Sequence, residues 1–510
     1  MTPRWLWRTM LGVILVGYGV VAVLYAVITP VWQAPDEPAH YNYVASLVEN
    51  GCCPVIAAGD WDSAALNQLT SNKFPPELNS LIPRIEYEDH QPPLYYALAT
   101  LPYVLANGEL VAVRLFSVLL GAGIVFLAYA IGRMIAPARP TVALTAAALM
   151  AYVPQHVGML GTANNDALAW LLAALALYGI GRYLTALKIR HRWRWWLGFG
   201  VLLGGMFLTK TTVYFYAAVI ALALVARPLM NASTSTEARG LNVALNVVSA
   251  LRNTIPQSVQ AKIPTHRLGR NFLRTALDLY GPRLRRAGRE ILIGIGVVWG
   301  VGLVLGLLWW GRNLVVYGAP DFMGLIAHDA VVVGQGRTSE FIARDGLWQT
   351  LQNGTRTLFN SFWGQLGWMG LPLPTWAYRW ISVGVWVSIA GWILSLWRGR
   401  KAAPSALTVS YSVLMGVVAL LAVLQVIYYN LTFYQVQGRY LFPALIPFAL
   451  WLAAGLDMWP RALEQRFSNG TGNRSRWVVY VGYAVPLAVA AALGALNLWM
   501  LRYAIPSLAP

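Results

Sequence analysis

Two acids stand just past the first long apolar run, in Ala34-Pro35-Asp36-Glu37-Pro38-Ala39-His40-Tyr41. Prolines on both sides restrict the backbone, and His40 follows within one turn if Pro38 opens a helix. Carboxylates beside an imidazole suit proton transfer from a nucleophile, although acids at such a place also cap helices. A second polar run, Glu86-Tyr87-Glu88-Asp89-His90-Gln91-Pro92-Pro93-Leu94-Tyr95-Tyr96, sets His90, several acids and Tyr95 at the head of a short apolar segment. Its bland reading is again a polar cap. A third, Asn164-Asn165-Asp166, sits between two apolar runs. A carboxylate there is costly unless it faces a polar cavity or caps the following helix.

The cations are as selective in placement. Lys210 interrupts the apolar stretch 195–226, whose arms are each about 16 residues, near the lower limit for spanning a bilayer. A lysine recessed at such a tip either meets an anion or snorkels to the headgroups. Arg312 and His328-Asp329 follow in a later loop, which ends in the aromatic run Phe359-Asn360-Ser361-Phe362-Trp363-Gly364-Gln365-Leu366-Gly367-Trp368. Trp363 and its neighbours suit an interfacial belt or the face of a sugar. Gln437-Gly438-Arg439-Tyr440 opens another apolar run, where Arg439 suits a phosphate or serves as an anchor.

The elements that must position these groups are membrane helices. The chain of 510 residues is 57% hydrophobic and 11% charged, against about 25% charged in soluble domains. Apolar runs near 9–29, 110–135, 140–158, 167–187, 291–311, 376–397, 405–429, 440–459 and 477–500, with two short spans in 195–226, predict about eleven transmembrane helices. Residues 92–106 are short and proline-bearing. Read as a helix lying at the interface, they leave 27 Lys/Arg and five acids on the cytoplasmic side, against 11 Lys/Arg and 15 acids outside. That is the positive-inside bias. It predicts a cytoplasmic N-terminus, an outside C-terminus and two large outer loops, 31–108 and 312–375. The net charge of +18 is then a matter of basic cytoplasmic loops and anionic lipid, and no nucleic-acid partner is expected. The apolar N-terminal run continues to Ile28 with no small-residue cleavage site after it, which predicts a retained first span. Three parts follow: 1–226 with the first outer loop, a basic cytoplasmic loop 227–289, and a membrane module 290–510. The only cysteines, Cys52 and Cys53, are adjacent, leaving either a turn or a vicinal bridge.

In their order these pieces resemble the GT-C superfamily of membrane glycosyltransferases. The resemblance rests on one span, then a large loop opening with Pro-Asp-Glu-Pro-Ala-His and closing with His-x-Pro-Pro-Leu-Tyr-Tyr, a short loop with an acid, and the later Phe-Trp-Gly-x-Leu-Gly-Trp and Gln-Gly-Arg-Tyr. It is similar to a bacterial branch related to the protein O-mannosyltransferases and aminoarabinose transferases. The resemblance implies that Asp36 stands at the catalytic base, with Glu37 beside it, and that Asp166 is the second-loop acid. Inserted Gln91 and the Asn-Asn-Asp second loop depart from the pattern and leave substrate and metal use open.

Nucleotide sugars are cytoplasmic, so transfer on the outer face of the plasma membrane needs a donor delivered in the bilayer, a polyprenyl-phosphate sugar. The expected reaction is a single inverting displacement onto a lipid, glycan or protein acceptor. Asp36 takes the proton, and Lys210 and Arg439 stabilise the departing phosphate. His40, His90, Tyr95, Arg312, Trp363 and Tyr440 are expected to line the substrate. No metal ligand is assigned; Asp36, Glu37 and Asp166 sharing a divalent cation is the alternative. The rival function is a transporter or flippase of a lipid-linked sugar, which uses the same cations without needing the acids and more often shows inverted repeats.

Overall fold

A computed structural model describes residues 4–186, 189–233, 265–397, 406–468 and 476–510. They are almost wholly helical. In chain order the α-helices are α1 (Arg4–Ile28), α2 (Glu37–Glu49), α3 (Ser63–Ser71), α4 (Leu94–Leu105), α5 (Leu110–Ile135), α6 (Pro140–Tyr152), α7 (Pro154–Leu160), α8 (Asp166–Thr185), α9 (Arg192–Phe207), α10 (Tyr216–Ser233), α11 (Thr265–Val316), α12 (Leu325–Val331), α13 (Thr338–Asp345), α14 (Leu347–Trp363), α15 (Thr375–Trp397), α16 (Ala406–Asn430), α17 (Leu445–Leu456), α18 (Met458–Ser468) and α19 (Arg476–Trp499). Strands β1 (Gln365–Leu366) and β2 (Leu371–Pro372) form one small antiparallel hairpin. Much of the 227–289 loop lies outside the described residues.

The membrane helices fall where the apolar runs predict them. Among the described residues nine helices are long and apolar enough to cross a membrane, or ten if α6 and α7 form one bent span. The expected eleven differs from this by α9, which has only 16 residues. Its place beside α11 explains why so short a helix holds. Gly200 and Gly204 face Val301 and Leu305 so closely that a Cβ on either glycine would overlap them. Small residues spaced by four let two helices in lipid approach and pack. The α6–α7 break follows from Pro154: the helix bends by 60° there, because proline cannot donate to the preceding turn.

Above one end of the bundle the loops build a folded layer. The first loop has its own apolar centre of Ala39, Ile56, Leu69, Phe74, Ile82, Ile85 and Tyr87, which Val332 of the later loop completes. The layer is stitched across the chain: Arg312 donates to the carbonyls of Cys53 and Pro54, Trp61 Nε1 to Val333 O at 2.8 Å, and Trp368 Nε1 to Trp32 O at 2.9 Å. Cys52 and Cys53 are joined as a vicinal disulfide at its edge. Helix α4, twelve residues long, spans roughly 18 Å, too little for a bilayer. It buries Tyr95, Tyr96 and Ala99 against α2 and α5 and exposes Leu98, Leu101 and Leu105 on the other side.

Candidate active site

The turn into α2 separates the two adjacent acids. Asp36 occupies the position before the helix with a left-handed backbone, φ +65°, and its carboxylate makes no capping bond. This conformation is uncommon outside glycine, though aspartate tolerates it. Asp36 therefore turns toward Arg439 and Tyr87. There Oδ2 accepts from Arg439 Nη2 at 2.6 Å and Oδ1 from the Tyr87 hydroxyl at 2.9 Å. Glu37 turns the opposite way and is fully buried. Its two oxygens receive Arg114 Nε and Nη2 at 2.8 and 2.6 Å, and Oε1 also accepts from Ala163 N at 3.1 Å. Arg114 spends its remaining donors on the carbonyls of Ala26, Thr29 and Pro30 at the end of α1. Glu37 is thus enclosed in a clamp joining α1, α2, α5 and the 161–165 turn.

The second acid–cation pair comes from the bundle. Asp166 begins α8, but its carboxylate does not cap that helix; Oδ1 meets Lys210 Nζ at 2.7 Å. Lys210 sits at the break between α9 and the 3₁₀ turn Thr211–Val213, as the tip of a hairpin should. The neighbouring Leu208 carbonyl accepts from Leu94 N at 2.8 Å, tying that tip to the head of α4. Asp166 Oδ2 and Arg439 Nη1 are both buried without a partner. Each pair therefore keeps an unused donor or acceptor.

Arg439 is positioned by the turn Gly438–Ala444. Its Nε donates to Gln437 Oε1 at 2.7 Å, and Gly438 N donates to Ser361 Oγ at 2.8 Å. Only glycine fits at 438, where a Cβ would lie 2.1 Å from Phe362 N. Tyr440 places its ring under the Arg439 guanidinium, 5.6 Å to the centroid. Trp363 adjoins this turn, lining an apolar groove of about 520 Å³ with Phe362, Leu441, Phe448 and Trp451. His40 is buried, with Nδ1 against the Tyr96 hydroxyl at 2.8 Å.

The other expected substrate residues lie elsewhere. Tyr95 spends its hydroxyl on Ser117 and Asn164 N, which sets the second-loop turn. His90 packs on His328 with ring centroids 4.3 Å apart. Arg312 holds the disulfide edge and stacks over Trp309. Sequence reasoning left Glu88 unsingled among its acidic neighbours. The structure brings one ligand atom each of Asp36, His40 and Glu88 within 4.8 Å of one another. Tyr87, missed for the same reason, holds Asp36.

Charge follows from these contacts. Burial would raise the Asp36 carboxyl, but the Arg439 charge, His40 and the bonds from Arg439 and Tyr87 outweigh it and hold it at about 2. Burial and the nearby Lys210 push His40 down to about 3, so it is neutral at pH 7. Burial and the Asp36 charge raise Glu88 to about 7. Burial and the acids Glu86 and Asp60 raise Asp89 to about 8. The spacing of Asp36, His40 and Glu88 alone would suit a cation. A divalent ion would, however, have to share Asp36 with a guanidinium already 2.6 Å away, and like charges at that range repel. The three are therefore not assigned as metal ligands. Glu37 and Asp166 are each bound to a cation of the chain instead.

The site thus sits where a helical membrane bundle meets a folded loop layer. Residues 90–251 match the profile of the dolichyl-phosphate-mannose-protein mannosyltransferase family, a segment that holds Asp166 and Lys210 but neither Asp36 nor Arg439. No curated protein matches the chain. Among solved structures, the archaeal oligosaccharyltransferase AglB from Archaeoglobus fulgidus, in complex with an inhibitory peptide and a dolichol-phosphate, is 12% identical with a TM-score of 0.48; the alignment covers 98% of this chain and 56% of that one. The same enzyme tethered to an acceptor peptide gives 12%, 0.49, 97% and 55%. ArnT from Cupriavidus metallidurans, bound to undecaprenyl phosphate, gives 13%, 0.42, 100% and 74%. The chain thus spans little more than half the length of the oligosaccharyltransferases it matches.

Proposed function

We propose that this protein transfers a sugar from a polyprenyl-phosphate carrier to an acceptor hydroxyl or amine, on the outer face of the plasma membrane. The observation that carries this reading is the juxtaposition of two acid–cation pairs, Asp36–Arg439 and Asp166–Lys210, beside an apolar groove. In this reading the lipid tail lies in the groove by Trp363 and Phe448. The turn Gly438–Ala444 then carries the chain of contacts from tail to phosphate, because Leu441 lines the groove two residues after Arg439. The free Nη1 of Arg439 and the Lys210 ammonium receive the phosphate oxygens, where charge develops as the glycosidic bond breaks. Asp36 faces the acceptor, and displacement from the opposite side of the anomeric carbon inverts it. A two-carboxylate glycosidase scheme fits less well, since Arg439 and Lys210 at this depth suit a phosphate leaving group.

The test uses the purified full chain in nanodiscs with polyprenyl-phosphate sugars and a panel of acceptors. Wild type should release polyprenyl phosphate as product forms. Asp36→Asn should cut turnover by tenfold or more while still binding donor, and Lys210→Ala should raise the donor KM. Wild-type rates in Asp36→Asn, or transbilayer movement of donor without transfer, would instead favour the flippase.

A further inference from the structure

Asp36 is well placed to orient a hydroxyl but poorly placed to keep its proton. Both of its oxygens already accept bonds, one from a guanidinium, and it is held near pKa 2. A group so acidic has little drive to take a proton at neutral pH, since catalytic bases work best near the operating pH. Beside it stands Glu88, on the turn that precedes α4. One Glu88 oxygen lies within 4.8 Å of both Asp36 and His40. Its Oε2 is shut off from solvent and has no partner. Gln91, the residue inserted relative to the related motif, accepts from Asn165 Nδ2 at 3.4 Å. It thereby ties the turn to the second loop, one residue before Asp166.

Taking the glycosyl-transfer reading as given, the geometry points to Glu88 as the catalytic base, the carboxylate that receives the acceptor's proton while Asp36 orients the acceptor hydroxyl. The step balances within the site. The acceptor oxygen bonds to the anomeric carbon as the carbon–phosphate oxygen bond breaks. Its proton passes to the Glu88 carboxylate, and the electron pair leaves on polyprenyl phosphate between Arg439 and Lys210. Two carboxylates driven apart in acidity divide such work between them. Asp36 stays ionised, while Glu88, raised to about 7 by burial and by Asp36, gains and loses a proton near neutrality. The charged and titratable groups that face Glu88 are Asp36 before α2, His40 of α2, Tyr87, Asp89, Tyr96 of α4, Lys210, Tyr429 of α16 and Arg439. Of these only Asp89 shares its range, raised to about 8. His40 sits far below.

The experiment is the pH profile of kcat at saturating donor. Wild type should rise with pH through about 7 and then level, because the base must be ionised. Glu88→Gln should lower kcat by about 10²–10⁴, leave donor KM within a few-fold and abolish the rising limb, whereas Asp89→Asn should keep it. Glu88→Asp should restore part of the rate with a displaced limb. An unchanged limb in Glu88→Gln overturns the assignment. If that variant does not fold, an unmoved limb in Glu88→Asp overturns it equally. Failure of wild type to transfer from any polyprenyl-phosphate sugar would sink the parent reading instead, and a folded wild type that transfers separates the two.

Discussion

At the scale of single residues, the split between Asp36 and Glu37 decides what each acid does. One backbone in the left-handed region sends the first carboxylate to Arg439 and the second to Arg114. A fully buried ion pair adds little net stability, but removing one partner strands the other charge at a cost of about 3–5 kcal/mol. Arg114→Met should therefore lower the melting temperature in detergent sharply, and the double change Arg114→Met with Glu37→Met should recover most of the loss. A single variant as stable as wild type would show that the clamp is not needed. Asp89 makes a pH prediction. Its folded carboxyl sits at about 8, above the unfolded value near 3.9, so the folded state holds the extra proton. Stability from this group is present below about pH 4 and lost as pH climbs to about 8. Asp89→Asn should flatten that decline in melts run from pH 5 to 9. In the sequence Asp36 stood out because prolines bracket it. Glu88 did not, since three acids within four residues of an irregular turn carry no periodicity that says which one faces inward.

At the scale of elements, the apolar runs placed every membrane helix because burial in lipid needs only length and composition. They carried no information on how helices face each other, since a helix apolar all round has no periodic stripe. The helices of the later loop were hidden for a different reason: their packing partners are distant in sequence, the first loop for α12 through Ala327 and Val331, and the 430–444 segment for α13 and α14. Gly438 is where an element controls the site. Alanine there would drive a methyl into the Phe362 backbone and shift the turn that aims Arg439. Gly438→Ala should raise donor KM by tenfold or more in the same nanodisc assay, and more than Gly416→Ala, where a Cβ meets nothing. Equal effects would detach the turn from donor binding.

At the scale of the whole molecule, the charge count predicts that the loop layer and the basic loops face opposite sides of the membrane. Cysteine at Asn353, exposed on α14, should react with a membrane-impermeant maleimide on intact cells. Cysteine at His191, exposed before α9, should react only after permeabilisation. The reverse pattern would invert the topology. Extensive dialysis against a chelator should leave turnover within twofold of untreated enzyme, because Asp36, Glu37 and Asp166 already rest on cations of the chain; loss of activity restored by one added metal would reopen that question.

The two acid–cation pairs have a further consequence. Each positive side chain already rests on a negative one, and the proposed transfer would only reshuffle which anion each faces. In that reading the proton, the sugar and the phosphate all change partners at one depth, so no charge would cross the electric field of the membrane. A lipid carrier flipped through the bilayer would drag its phosphate through that field, where each charge is worth about 2.3 kcal/mol per 100 mV. Turnover in proteoliposomes should thus be indifferent to an imposed membrane potential.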